Sequence, residues 1–284
     1  MYPANITRHE AAARAQIISS HSYQVMVDLS GRPADAADEG SGATFVSSSV
    51  IGFSSTGGSS FVNLIADRVL TLTLDGEPLA PEAFADDKVS FSVEAGPHEL
   101  VVVAVCRYSR TGEGLHRFTD PVDNQQYIYS QLETADARRV YACFEQPDLK
   151  ATFQLTVIAP LQWTVLSNSP AVAPVPEADG LGRFSFEPTP PISTYITALM
   201  AGAFHTVHDT YTGTAREIPL SLSCRQSLVP YLDAERLFTT TKNGFAVFEK
   251  HFGAPYPFAD YAQVFVPEFN AGAMENAGAI TFTE

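Results

Sequence analysis

Across most of the first two hundred residues, apolar and polar side chains alternate in short runs broken by turn residues, and this period of two constrains the fold more than any other feature. Ser22–Asp28, Gly42–Phe53, Arg68–Leu74, Val89–Val93 and Glu99–Tyr108 each read as a strand whose successive side chains face opposite sides of a sheet. Asp75-Gly76, Ala95-Gly96-Pro97 and the run Ser54–Ser60 (SSTGGSS) read as turns, and Gly31–Gly40 as an acidic surface loop. Further strands are expected at Ala151–Ala159, Thr164–Ser167, Gly182–Phe186 and Thr197–Ala203. The pattern predicts a mainly β chain.

Near His205 the pattern changes. Strand-like pieces reaching Tyr211 and at Ile218–Cys224 precede one helical pattern from about Tyr231 to His251. Leu232, Leu237, Phe238, Phe245, Val247 and Phe248 recur at roughly helical spacing, with Gly253 placed as a C-cap and Pro255 beyond it. Gln263–Val266 and Ala279–Thr283 then read as strands flanking a loop at Gly272–Gly278. A boundary near Ala201–Thr206 is expected, giving a β-rich unit over residues 1–203 and a second unit over 204–284. The chain's 284 residues, 45% of them hydrophobic, are enough to bury a core in each.

Seventeen basic against 32 acidic residues leave a formal charge of −15, the wrong sign for a phosphate-binding surface, so nucleic acid is excluded as a partner. Cys106, Cys143 and Cys224 are odd in number, far apart and set among apolar neighbours, which suggests buried free thiols in a reducing compartment. Residues 1–20 carry no apolar signal-peptide core, and no stretch is long and apolar enough for a membrane span. The expectation is a cytoplasmic protein.

Two segments suggest chemistry. Pro267–Gly278 (PEFNAGAMENAG) sets small residues, one Met and one acid between two expected strands. Small residues let a peptide backbone approach, a strand edge there can bond an extended chain, and the Glu275 carboxylate suits a free ammonium group. Read alone, the segment is more often an ordinary hairpin loop. Gln131 and Glu133, at i and i+2, would share one face of a strand, which by itself usually means only a solvated face.

Taken together, these residues resemble the M1 family of zinc aminopeptidases (gluzincins). Gly272-Ala273-Met274-Glu275-Asn276 is similar to the family's exopeptidase loop, and Phe252–Gly272 (FGAPYPFADYAQVFVPEFNAG) resembles the approach to it. Ser130–Phe153 (SQLETADARRVYACFEQPDLKATF) resembles the segment whose Gln and acid reach the catalytic cleft. Thr111–Tyr129 looks like the lead into that strand in bacterial members. The resemblance implies that Glu275, the candidate catalytic residue, binds the substrate's terminal amine. Gly272 and Ala273 would line the peptide, Met274 and Gln131 form part of the first specificity pocket, and Asn276 complete the loop. Glu133 would be a second carboxylate near the amine, selecting against blocked N-termini. An acid at 133 and Ala273 both favour the aminopeptidase branch over the epoxide-hydrolysing one. His116 and the nearby acids are expected to position loops.

Zinc in this family needs two His one helical turn apart plus a distant Glu. His9-Glu10 and His98-Glu99 each lack the second His, and His205 and His208 lie in a strand pattern where i and i+3 point to opposite faces. No metal site is therefore expected in this chain, and zinc is expected in the longer parent, whose ligands follow the exopeptidase loop. No G-x-S-x-G elbow, Walker loop or CxxC pair supplies other chemistry.

The resemblance implies an N-terminal β-saddle or sandwich followed by the opening sheet and first helix of a thermolysin-like catalytic domain. The chain is expected to be an N-terminal portion of an aminopeptidase acting on peptides with a free N-terminus, inactive alone, with apolar surface exposed beyond about residue 205. The alternatives are a non-catalytic binding or assembly module of the same fold and an unrelated β-sandwich interaction module.

Overall fold

The computed structural model describes residues 5–33 and 42–284. Residues 34–40 of the acidic loop read at Gly31–Gly40 lie outside the described residues. The chain opens with α1 (Arg8–Ile17), where Thr7 Oγ1 accepts the Glu10 N–H at 3.2 Å and the Glu10 carboxylate accepts the Thr7 N–H at 2.8 Å. This capping box stops the helix fraying from its first turn. Arg14 plugs α1 into the fold, bonding Gln146 and Asn63 at 3.0 Å each while its guanidinium lies over Phe61.

The strands follow as β1 (Ile18–Asp28), β2 (Thr44–Asn63), β3 (Arg68–Leu74), β4 (Glu77–Pro78), β5 (Phe84–Ala85), β6 (Lys88–Arg107), β7 (Gly114–Thr119), β8 (Gln126–Gln131), β9 (Thr152–Pro160), β10 (Thr164–Ser167), β11 (Val175–Pro176), β12 (Leu181–Ser185) and β13 (Leu199–Gly202). After them come β14 (His205–Thr212), β15 (Glu217–Cys224), α2 (Ala234–Phe252), β16 (Tyr261–Val266), β17 (Ala273–Met274) and β18 (Ala279–Thr283). They form a nine-stranded sheet ordered β11-β12-β9-β1-β2-β6-β3-β4 with β5 against β6, a four-stranded sheet ordered β10-β13-β8-β7, and a five-stranded sheet ordered β14-β15-β16-β18-β17. The architecture is mainly β, as the alternation predicts.

One expectation is corrected. The runs at 54–60 and 95–97, read as turns, lie inside β2 and β6, which pair from Thr44↔Arg107 to Asn63↔Lys88 and through Ser55↔Gly96. A ladder is made of backbone groups, so Ser and Gly sustain it when a long partner is present, and Ser59 and Ser92 bond across it at 2.8 Å.

The four-stranded sheet is the middle layer. Ile128, Leu199 and Ala201 join the core shared with the nine-stranded sheet, while the alternate residues Tyr127, Tyr129 and Met200 join a second core with Ala262, Val264, Val266 and Ala279 of the five-stranded sheet. Burial on both faces is why this sheet carries almost no exposed residue. The far face of the five-stranded sheet, through Ile218, Leu220 and Leu222, takes α2 at Phe238 and Phe245.

α2 begins at Ala234 and not at Tyr231, because Gln226–Tyr231 forms a 3-10 turn and Asp233 caps the helix by accepting the Arg236 N–H. It ends as expected, with Gly253 left-handed at φ 65° and its N–H on Glu249 O. Its outer side exposes Val247, Phe248 and Phe252. No helix among the described residues is long and apolar enough to cross a membrane.

Candidate functional site

The loop of interest leaves β16 at Val266 and forms β17, whose two residues pair with β18 as Ala273↔Phe282 and Met274↔Thr281. β17 is the edge of its sheet. Gly272 gives its carbonyl to the Thr283 N–H at 3.1 Å, so by the alternation of an antiparallel ladder the N–H and C=O of Ala273 face the open side. Of the two small residues expected to line a bound chain, Ala273 presents free backbone groups, while Gly272 spends its carbonyl inside the sheet.

Met274 points inward and is 1% exposed, whereas Glu275 is exposed and its carboxylate has no hydrogen-bond or ion-pair partner among the described residues. Asn276 is buried; its Nδ2 reaches Thr281 Oγ1 at 3.5 Å and its carbonyl accepts the Ala279 N–H. The turn closes at Gly278, held by Ala262 N–H on its carbonyl at 2.8 Å.

The second segment meets the first here. Gln131 Nε2 lies 3.9 Å from Met274 Sδ, across 143 residues of sequence. Gln131 Oε1 is buried with no partner among the described residues, an arrangement that costs about 1–3 kcal/mol until some donor arrives. Glu133 departs from the sequence reading: β8 ends at Gln131, and Glu133 lies beyond it, exposed, with a cis peptide to Thr134. The i, i+2 argument therefore fails, because the strand ends before its second residue.

His116 is fully buried against Tyr129, with ring centroids 4.9 Å apart. Its Nδ1 accepts the Gly112 N–H at 3.0 Å, which puts the proton of the neutral ring on Nε2, 3.2 Å from Glu268 Oε2. Burial pulls its pKa below the ordinary histidine value, outweighing the nearby Glu268 charge. Glu268 lies in the approach to the loop, and Tyr129 donates to its carbonyl at 3.2 Å.

Two loop-facing groups went unread in the sequence. Asn168, between β10 and β11, donates to Ala277 O at 2.7 Å. Asp260 carries a buried Oδ1 near Gly278 that has no hydrogen-bond partner among the described residues, and burial pushes its pKa up to about 6. A lone Asn in a turn sequence and a lone Asp before a strand carry no signal by spacing.

The other candidates behave as structure. Burial pushes the thiol of Cys106 up to about 12 and that of Cys224 up to about 11, and raises Cys143 well above the ordinary thiol value; all three are free and buried. Among the described residues no group of three His, Cys, Asp or Glu is placed to hold a metal ion.

Residues 87–196 match the family described as Peptidase M1 N-terminal domain, and residues 237–284 match the Peptidase family M1 domain. The second match takes in the whole Gly272–Asn276 loop. Aminopeptidase N of Streptomyces lividans is 48% identical over 99% of this chain, which covers 32% of that relative. Aminopeptidase N of Acetobacter pasteurianus is 32% identical over 68% of the chain, covering 54% of the relative. Human aminopeptidase N is 33% identical over 55% of the chain, covering 16% of the relative. The chain thus spans about a third of its Streptomyces relative. With both family matches in their proper order and a relative aligned almost end to end, this chain belongs to the M1 peptidase family.

Proposed function

We propose that these residues form the amine-recognising portion of a zinc-dependent aminopeptidase, a hydrolase that releases N-terminal residues from peptides. One observation carries the reading: the Gln131–Met274 contact brings the end of β8 against the edge strand β17, joining two segments with separate family likenesses beside Glu275, whose carboxylate has no partner among the described residues. In this reading an extended peptide lies along β17 and bonds the outward backbone of Ala273. Its terminal ammonium meets Glu275, with the exposed Glu133 as a second carboxylate, and the unpaired Gln131 Oε1 accepts a hydrogen from the substrate. Met274 forms the apolar floor beside it, and Asn276, bonded to Thr281, keeps the turn in shape. Anchoring the amine fixes the register, so that one residue is released per cycle.

When bound, zinc supplies a Lewis acid and an activated water. The sequence contains no HExxH, so its ligands would come from residues other than these, and the 284-residue polypeptide alone is expected to show no turnover. The division into residues 1–203 and 204–284 follows the same proposal, supported by the five-stranded sheet's start at His205. The acidic charge argues for peptides over nucleic acid as partners, and the buried free thiols favour a cytoplasmic setting.

The test compares leucinamide with N-acetyl-leucinamide by titration of the purified chain, wild type and Glu275→Gln. The free amine is expected to bind at least tenfold more tightly to wild type, as one charge-assisted contact of about 1.5–3 kcal/mol requires, and the variant to lose that difference. Equal binding of both probes to wild type would sink the reading.

A further inference from the structure

Between Pro267 and Gly278 the only regular structure is the two residues of β17, and residues 271–273 and 275 are exposed. β17 is pinned to β18 at Ala273 and Met274, and Asn276 reaches Thr281, so the course of the chain into and out of that short pairing depends on what holds the loop's two ends. We propose that Asn168 and His116, buried side chains of the β-rich half, are positioning residues that clasp those ends and aim Glu275; this rests on the reading of Glu275 as the amine anchor.

On the leaving side, Asn168 is 4% exposed, and its orientation is fixed by three bonds. Nδ2 donates to Ala277 O at 2.7 Å and Ile196 O at 2.9 Å, and Oδ1 accepts the Ala198 N–H at 2.7 Å. Only a carboxamide fits, because two carbonyls and one N–H surround it. Ala277 is two residues from Glu275, and the next residue sits so close that a Cβ on Gly278 would come within 2.5 Å of the Asn168 carbonyl oxygen. The two backbones touch without an intervening side chain.

On the entering side, the fully buried His116 meets the Glu268 carboxylate, Tyr129 donates to the Glu268 carbonyl, and the Asn270 side chain donates to Thr111 O. The Tyr129 and Phe269 rings pack edge to face at 5.7 Å. Both ends are thus fastened to residues between 111 and 198, in addition to the bonds the loop makes within its own five-stranded sheet at Gly278 O to the Ala262 N–H and along β17–β18. A shift of either end re-aims Glu275 without unfolding anything.

The experiment uses two variants. Asn168→Asp keeps the shape and loses both donors, while Glu268→Ala/Asn270→Ala removes exposed side chains whose loss leaves the core intact; the Glu268 side chain is 58% exposed. Hydrogen exchange of the 273–277 amides and the leucinamide to N-acetyl-leucinamide preference are measured beside the unfolding midpoint. The clasp predicts exchange at least tenfold faster in that loop and a preference reduced at least tenfold, with the exposed double variant melting within a few degrees of wild type. Wild-type exchange in the folded double variant would overturn the clasp, and faster exchange with an unchanged preference would overturn its aiming role. If Asn168→Asp fails to fold, the double variant decides. If wild type itself shows no preference, the amine-anchor reading fails, and loop exchange still judges the clasp.

Discussion

Gly278→Ala is the substitution whose effect the structure specifies most closely. Gly278 adopts φ 74°, and a Cβ there would stand 2.5 Å from the carbonyl oxygen and 3.3 Å from the carbonyl carbon of Asn168, both backbone atoms. It cannot retreat easily, because its own carbonyl is held by the Ala262 N–H at 2.8 Å. Two terms add: the left-handed conformation costs an alanine roughly 1–2 kcal/mol, and forced displacement of packed backbone typically adds about 1–3 kcal/mol. Gly253→Ala isolates the first term, since Gly253 has φ 65° and no atom within 4 Å of the added carbon. Gly272→Ala carries neither term, having an ordinary φ and open space, and should lie within about 0.5 kcal/mol of wild type. Urea unfolding of the three variants, with slopes matching wild type, gives the ranking directly. A Gly278→Ala cost within about 0.5 kcal/mol of the Gly253→Ala cost would refute the claim that the loop and Asn168 are in backbone contact.

Asp260→Asn should stabilise the protein at pH 7.5 by up to about 2 kcal/mol, and much less at pH 4, because burial raises this carboxyl from 3.8 to about 6 and solvent relieves part of the penalty. With the folded value above the unfolded one, native stability is greatest below pH 3.8 for this group and falls as pH rises through about 6; a pH-independent difference between variant and wild type in thermal melts would contradict this. Phe245→Ala should cost about 3–5 kcal/mol, since Phe245 packs against Tyr211, Tyr256 and Tyr261 at ring distances of 5.0–5.1 Å, and denaturant unfolding checks it. Tyr23→Phe should cost about 1–3 kcal/mol by stranding the buried Phe144 N–H that now donates to its hydroxyl at 3.1 Å; an unchanged unfolding midpoint would refute that bond. Turnover of an aminoacyl anilide by the 284-residue chain, abolished by a chelator, would overturn its assignment as a binding portion without its own metal site.

Period-two patterning revealed most strands, because each buries one or both faces against a neighbour, and Gly253 marks the end of α2 for a similarly local reason, whereas its Asp233 cap went unread. What escaped depended on partners distant in sequence. SSTGGSS reads as a turn until β6 is laid beside it, and nothing local in Ser22–Asp28 says that its neighbour is Thr152–Ile158, running parallel. The Gly272–Asn276 loop was legible as a string of residues, but its place at a sheet edge, the outward backbone of Ala273 and the contact of Met274 with Gln131 were not. Asn168 left no trace, since its partners lie 28, 30 and 109 residues away. Glu133 misled because strand alternation was extended past the last residue of β8.

The parallel pairing of β1 with β9 also sets an order of events as the chain is made. β1 finds its antiparallel neighbour β2 early, but its other edge waits for a strand 130 residues on, from Ser22 to its partner Thr152. Closing a loop of that length carries an entropic cost on the order of 4 kcal/mol before any contact rewards it. Through that interval β1 presents a bare, partly apolar edge, the kind of surface that pairs with the wrong strand or with another chain. The nine-stranded sheet is therefore expected to assemble late and slowly, and the Gly272–Asn276 loop, which touches Gln131 of the layer packed on that sheet, to reach its final geometry only after that closure.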